Sequence, residues 1–210
     1  MKLGIIDYGR GNLRSVINAC QALGHEATIV TAPEQIAPLS HLICPGQGAF
    51  GDCMSNLKRL GLTEPLKEWI EADRPYFGIC VGYQLLFESS QESPSIAGLG
   101  VIKGRVLRFK NDPSDQSTHL KIPHMGWNSA DTLQPNHPNW NNLAGEPYFY
   151  FIHSYYPEPE DDSIAATRTS YGQTFTSAIQ RGRLLATQFH PEKSQYAGLT
   201  LIQNFLSQAE

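Results

Sequence analysis

Between Pro75 and Phe87 an apolar run stops abruptly at Gly78-Ile79-Cys80-Val81-Gly82, and a helical pattern follows from Tyr83. That order implies a strand, a sharp turn carrying a reactive side chain, and a helix. Such a turn crowds two backbone segments together, and Gly78 and Gly82 have no Cβ to obstruct the approach. The side chain on display would be the thiol of Cys80. At a helix N-terminus its thiolate is favoured by the dipole, and the N–H of Val81 points to the same spot, where it could hold an oxyanion. Taken alone, the run fits a buried structural cysteine between two packing glycines equally well.

The residues before it read as alternating strands and helices. Leu3 to Asp7 is an apolar strand, Tyr8-Gly9-Arg10-Gly11-Asn12 a loop, and Leu13, Val16, Ile17, Cys20 and Leu23 recur at helical spacing. Ala27 to Val30 and His41 to Cys44 are further strands, the latter ending in the loop Pro45-Gly46-Gln47-Gly48. One or two helices are predicted across Met54 to Ala72, and Tyr76 to Ile79 is the fourth strand. This half predicts an α/β, flavodoxin-like three-layer domain with a mostly parallel sheet and helices on both faces. Sites in such sheets lie beyond the carboxyl ends of the strands, where Cys80 and the Pro45 to Gly48 loop both fall.

The second half adds a partly antiparallel β extension: Val101 to Phe109, Lys121 to Asn128, Tyr148 to Tyr155, Ile164 to Thr169, Thr174 to Ile179 and Leu184 to His190. A polar turn is predicted at Asn111 to Ser117, and a final amphipathic helix from Tyr196 to Leu206 carries Leu199, Ile202 and Leu206 on one side. No repeat or linker divides the 210 residues, so a single domain over 1–210 is expected. A net charge of −4 without a basic run argues against nucleic acid, and no apolar stretch reaches the ~20 residues of a membrane span. The apolar part of Met1 to Asp7 is too short for a signal peptide, and the four cysteines lack metal-like spacing. Cys20 reads as core, Cys44 as the close of an apolar strand, and Cys53 as part of a Gly-rich loop. A reduced, cytoplasmic protein without metal or cofactor is the expectation. Gly9-Arg10-Gly11-Asn12 lacks the spacing of a phosphate cradle.

The second chemical signal is His190-Pro191-Glu192. Along the last strand Gln188 and His190 face one way, and Pro191 lets Glu192 return to the His190 side. A carboxylate there holds an imidazole in one tautomer and stabilises its charged form. Cysteine, histidine and an orienting acid form the pattern of an activated nucleophile. By itself the tripeptide also fits a satisfied core histidine beside a surface carboxylate.

Together, Gly78-Ile79-Cys80-Val81-Gly82-Tyr83-Gln84 and His190-Pro191-Glu192 resemble the triad (class I) glutamine amidotransferases, over essentially the whole chain. Further runs are similar to members of that family that serve histidine biosynthesis: Asp7 to Leu13, Pro45 to Phe50, Lys121-Ile122-Pro123-His124-Met125-Gly126-Trp127-Asn128, Phe151 to Tyr156, and Lys193-Ser194 after the His-Pro-Glu. The resemblance implies glutamine hydrolysis through a Cys80 thioester, with His190 as acid and then base, and Glu192 orienting it. The oxyanion would be held by the N–H of Val81 and a backbone N–H of the loop at Gln47 and Gly48. Gln84, one helical turn beyond Cys80, would bind substrate, and Ser154 and Tyr155 match positions that hold the glutamine backbone. The implied partner is a separate cyclase subunit, a (β/α)₈ barrel in a 1:1 heterodimer, which uses the ammonia to make imidazole glycerol phosphate and aminoimidazole carboxamide ribonucleotide. Asn12, Pro123, Met125, Trp127, Tyr150 and Lys193 match the docking face, with Met125 and Trp127 suited to be buried anchors. The pattern departs at Gln47, where the family usually has Val. Gln restricts its own backbone less than a β-branched residue, so a different loop equilibrium is expected. Other amidotransferase subunits, a stand-alone γ-glutamyl hydrolase or cysteine peptidase, and a flavodoxin-like binding module with an inert cysteine share parts of the pattern.

Overall fold

Short apolar runs bounded by Gly, Pro and polar residues form the strands of the first half. The computed structural model describes residues 1–9, 13–110, 120–143 and 147–208. The predicted turn at Asn111 to Ser117 and the loop residues Arg10, Gly11 and Asn12 lie outside them. β1 (Leu3–Ile6) leads through α1 (Leu13–Ala22) to β2 (Ala27–Val30), and β3 (His41–Gly46) through α2 (Phe50–Arg59) and α3 (Thr63–Glu71) to β4 (Tyr76–Cys80), which passes directly into α4 (Val81–Gln84). The second half holds β5 (Ser89–Ser90), β6 (Gly104–Arg108), β7 (His124–Ser129), β8 (Asp131–Thr132), β9 (Tyr148–His153), β10 (Tyr155–Pro159), β11 (Ala165–Tyr171), β12 (Gln173–Arg181), β13 (Leu184–Thr187) and α5 (Gln195–Leu206).

Among the described residues the central sheet has eight strands in the order β2-β1-β3-β4-β13-β12-β11-β8. From β2 to β13 neighbours run parallel; β12, β11 and β8 continue it antiparallel. Every residue of β1, β3, β4 and β13 is buried, as strands covered on both faces require. The crossover β1→β2 runs one way along the sheet and β3→β4 the other. With right-handed connections, α1 and the α2–α3 pair therefore cover opposite faces. A small sheet (β10-β6-β5) and a two-stranded ribbon (β7-β9) lie outside the main sheet.

Three local expectations change. Cys53 is not in a loop: α2 starts at Phe50 and buries Phe50, Cys53, Met54 and Leu57. The Gly-rich stretch is helical because the first turn is capped from a distance. Glu92 Oε2 accepts from Phe50 N–H at 2.7 Å, and Ser93 Oγ from Gly51 N–H at 3.1 Å. The helix after Cys80 is a single turn, because the carbonyls of Leu85 and Leu86 accept instead from the N–H groups of Leu99 and Ile102. In α5 the buried residues are Gly198, Leu201, Ile202, Phe205 and Leu206, with Leu199 partly covered.

Candidate functional site

The chain reverses at Cys80, whose φ of 55° and ψ of −108° are unusual for a residue with a side chain. Such a conformation costs ~1–3 kcal/mol and persists only where its surroundings over-determine it. The surroundings are backbone. A Cβ on Gly82 would stand 1.8 Å from the Cys44 carbonyl oxygen, and one on Gly78 2.8 Å from the Gly82 carbonyl oxygen. The two glycines let β4 and α4 close on β3, which aims the Cys80 side chain past the carboxyl edge of the sheet. A one-turn helix carries little dipole, so the local donors matter more than the macrodipole the sequence suggested. Val81 opens that turn, where backbone N–H groups have no partner within the helix.

The sulfur meets a pocket of about 500 Å³, a size suited to a small polar metabolite. Gln47, Gly48, Val81, Gln84, Ser154, Tyr155 and His190 line it with Cys80, and Pro123 and Lys193 reach it as well. Among the described residues, which include all four cysteines, Cys80 is the cysteine in the pocket wall. The Cys20 and Cys44 thiols are pushed up by burial, to about 11 and about 12, which keeps them protonated and inert.

His190 lies just past β13 rather than in it, held by a lone bridge to Tyr150: its N–H donates to the Tyr150 carbonyl at 2.9 Å. Its Nδ1 is 2.8 Å from Glu192 Oε1, and both side chains are only 2% exposed. A carboxylate can only accept, so Nδ1 carries a proton and Nε2 is the nitrogen not engaged by Glu192. Nε2 is buried with no conventional hydrogen-bond partner among the described residues. Burial alone would lower the imidazole pKa; the neighbouring Cys80 sulfur and then Glu192 outweigh it and hold the ring at about 10. The three predicted groups thus converge, with the His190 ring beside both the Cys80 sulfur and the Glu192 carboxylate.

The loop from Pro45 to Gly48 is pinned from inside. The Tyr8 hydroxyl donates to the Pro45 carbonyl at 2.8 Å, and the Cys53 thiol lies 3.8 Å from the Gln47 carbonyl. Gly48 has a φ of 105°, a conformation that side chains disfavour. Gln84 is buried and already engaged: its Nε2 donates to the Tyr155 carbonyl at 3.2 Å and to Gln188 Oε1 at 3.0 Å. Gln188 in turn points its amide nitrogen at the Cys80 sulfur, 3.6 Å away. The sequence reading placed Gln188 on the His190 side of the strand but gave it no role. Glu92 was missed altogether. It lines the pocket some twelve positions after Cys80, with nothing local to mark it.

Met125, Trp127 and Tyr150 are not in the pocket. They lie on the outer face of the β7–β9 ribbon, where Met125 is 56% and Trp127 47% exposed. Lys193 sits over the Tyr150 ring at 5.9 Å. Asn12 falls outside the described residues. Among those residues no group of His, Cys, Asp or Glu is arranged to hold a metal ion.

Comparison with known proteins matches residues 4–209 to the family described as glutamine amidotransferase class-I. A relative from Syntrophotalea carbinolica, "Imidazole glycerol phosphate synthase subunit HisH", is 47% identical over 96% of this chain and 97% of its own. A second of the same name from Geobacter sulfurreducens is 44% identical over 97% of each. Solved structures with the same fold include one titled "Crystal structure of glutamine amidotransferase", with a TM-score of 0.73 at 22% identity over 98% of this chain and 97% of that one. Another is PurLQS from Thermotoga maritima, with a TM-score of 0.75 at 18% identity over 98% and 97%.

Proposed function

The chain belongs to the class-I glutamine amidotransferases, and from that premise we propose that it is the glutaminase subunit of an imidazole glycerol phosphate synthase in histidine biosynthesis. The observation that carries the chemistry is the buried His190, bonded to Glu192 and neighbouring Cys80, with Cys80 and His190 both in the pocket wall. The Cys80 thiolate attacks the side-chain amide carbon of glutamine. The resulting oxyanion takes hydrogen bonds from Val81 N–H and from a backbone N–H at Gln47 or Gly48. His190, charged at neutral pH because its pKa is held at about 10, gives its Nε2 proton to the departing nitrogen. Ammonia leaves, and a γ-glutamyl thioester remains on Cys80. Neutral His190 then takes a proton from water, which attacks the thioester; glutamate departs and the thiolate–imidazolium pair is restored.

Gln84, Ser154 and Tyr155 hold the amino-acid end of glutamine, and the Glu92 carboxylate is placed to receive its α-ammonium group. Ammonia would be protonated, and lost as a nucleophile, on release to bulk water. Direct delivery to a docked cyclase avoids this. The outer ribbon face, with Met125, Trp127, Tyr148 and Ile152 all exposed, suits such docking in a 1:1 complex, with Tyr150 and Lys193 beside it and Asn12 and Pro123 contributing. The 210 residues act as one amidotransferase domain. Among the described residues no helix is long and apolar enough to cross a membrane.

The test is ammonia release from glutamine, without and with a cognate cyclase and its nucleotide. Turnover that depends on Cys80 and rises with the cyclase supports the assignment. Full turnover without a partner favours a stand-alone hydrolase, and Cys80→Ala with undiminished release removes the mechanism.

A further inference from the structure

Behind the docking ribbon lie two buried histidines that the mechanism does not use. In β7 and β9 residues alternate between the faces: Met125 and Trp127 point out, while His124, Asn128 and His153 belong to the inner side. His124 and His153 are only 3% and 6% exposed. The His124 ring stacks on Tyr171 at 3.9 Å and on Phe151 at 4.7 Å. Its Nδ1 is 3.0 Å from His153 Nε2, its Nε2 is 3.3 Å from Asn128 Nδ2, and His153 Nδ1 is 2.7 Å from the Tyr155 carbonyl.

The direction of this chain is fixed from both ends. A carbonyl only accepts, so His153 carries its proton on Nδ1 and presents Nε2 as an acceptor. At the other end Ser129 N–H donates to Asn128 Oδ1 at 2.9 Å, and Asn128 Nδ2 donates to the Ser170 carbonyl at 3.0 Å. The amide orientation is therefore set, and Asn128 offers an N–H to His124 Nε2. His124 must then hold its proton on Nδ1, which is what His153 Nε2 needs. Both ends demand the same tautomers. Charging either ring would set one N–H against another. Burial pushes the two rings in the matching direction, His124 to about 4 and His153 to about 3, the latter held back slightly by its bond to Tyr155.

The chain ends on the carbonyl that also receives the Gln84 amide, between Ser154 and the rest of β10. We infer that His124 and His153 are positioning residues for the glutamine pocket: a one-way hydrogen-bond chain from Asn128 on the docking ribbon sets the Tyr155 carbonyl, and through it Gln84 and the Ser154–Tyr155 segment. His153 also lines the pocket; the role assigned to both rings is positioning, and it rests on the glutaminase reading above.

Two measurements test it on the full chain. In ¹⁵N NMR of the intact protein at neutral pH, both rings appear as neutral Nδ1–H tautomers, the less common form of free imidazole. Either ring found as Nε2–H or as imidazolium overturns the chain. In steady-state glutaminase assays with the cyclase present, His124→Phe keeps the stacked ring but removes both hydrogen bonds. It raises KM for glutamine about tenfold with kcat within threefold. Asn128→Asp, the same size, replaces the donor facing His124 with an acceptor and shifts KM the same way without loss of folded protein. A merely structural role would lower the active fraction, and so apparent kcat, at constant KM. Unchanged KM in both variants refutes the inference. Absence of glutamine hydrolysis by the unaltered complex would instead refute the assigned activity.

Discussion

Gly82→Ala tests the geometry on which the site depends. The added methyl would lie 1.8 Å from the Cys44 carbonyl oxygen, where real Cβ atoms essentially never come within 3.0 Å of a neighbour. Both partners are tied to backbone, so no rotamer relieves the clash, and β3 and α4 must separate by more than an ångström. Overpacking of this kind costs ~1–3 kcal/mol. For a chain of this size each kcal/mol lowers Tm by about 2–4 °C, so a fall of roughly 2–12 °C is expected. The larger effect is on rate. Separation moves Cys80 and Val81 relative to Gln47 and Gly48, and misplacement by ~1 Å can cost about 100-fold. Thermal denaturation and steady-state ammonia release on the same preparation read both quantities. Unchanged Tm would refute the packing argument. A lowered Tm with kcat within threefold of the parent would refute the claim that this contact sets the site.

Glu192→Gln removes the charge from the buried partner of His190 and lowers glutaminase kcat by at least 100-fold, while cyclase binding measured by calorimetry stays intact; kcat within fivefold of the parent contradicts the orienting role. Trp127→Ala, at a half-exposed site, leaves Tm nearly unchanged but costs about 2 kcal/mol of association, roughly thirtyfold in Kd, and unaltered affinity would move the interface elsewhere. Stability falls as pH drops from about 6.5 toward 4, because the unfolded chain protonates histidines that the fold keeps neutral. The loss is shallower in His124→Phe, and identical slopes in chemical denaturation would contradict it. Gln47→Val stiffens the oxyanion loop and lowers ammonia release by the unpartnered chain about fivefold, ~1 kcal/mol, while basal rate and activation both unchanged from the parent would remove any role for this position.

How much of this could be read from the sequence followed from the range of the forces involved. The parallel half was legible because strands covered on both faces are continuous apolar runs, and Gly78, Gly82 and the His-Pro-Glu tripeptide carry their geometry in adjacent residues. What escaped was delivered from far along the chain. The start of α2 looked like loop because its caps, Glu92 and Ser93, lie 42 positions on. The helix after Cys80 looked longer because nothing near Leu85 announces that Leu99 and Ile102 will take its carbonyls. Gln188 reaches the sulfur across 108 positions, and His124 finds His153 only when β7 pairs with β9. Met125 and Trp127 matched a docking face by resemblance alone; the pairing of the ribbon shows that their face is open to solvent.

The central claim is that Cys80 carries the glutamyl group. The most direct measurement is intact mass and peptide mapping after the complex, turning over glutamine, is quenched in acid. The account predicts one glutamyl adduct on the peptide containing Cys80, which disappears in Cys80→Ala. Undiminished turnover with no adduct, or with the adduct on another residue, would contradict it.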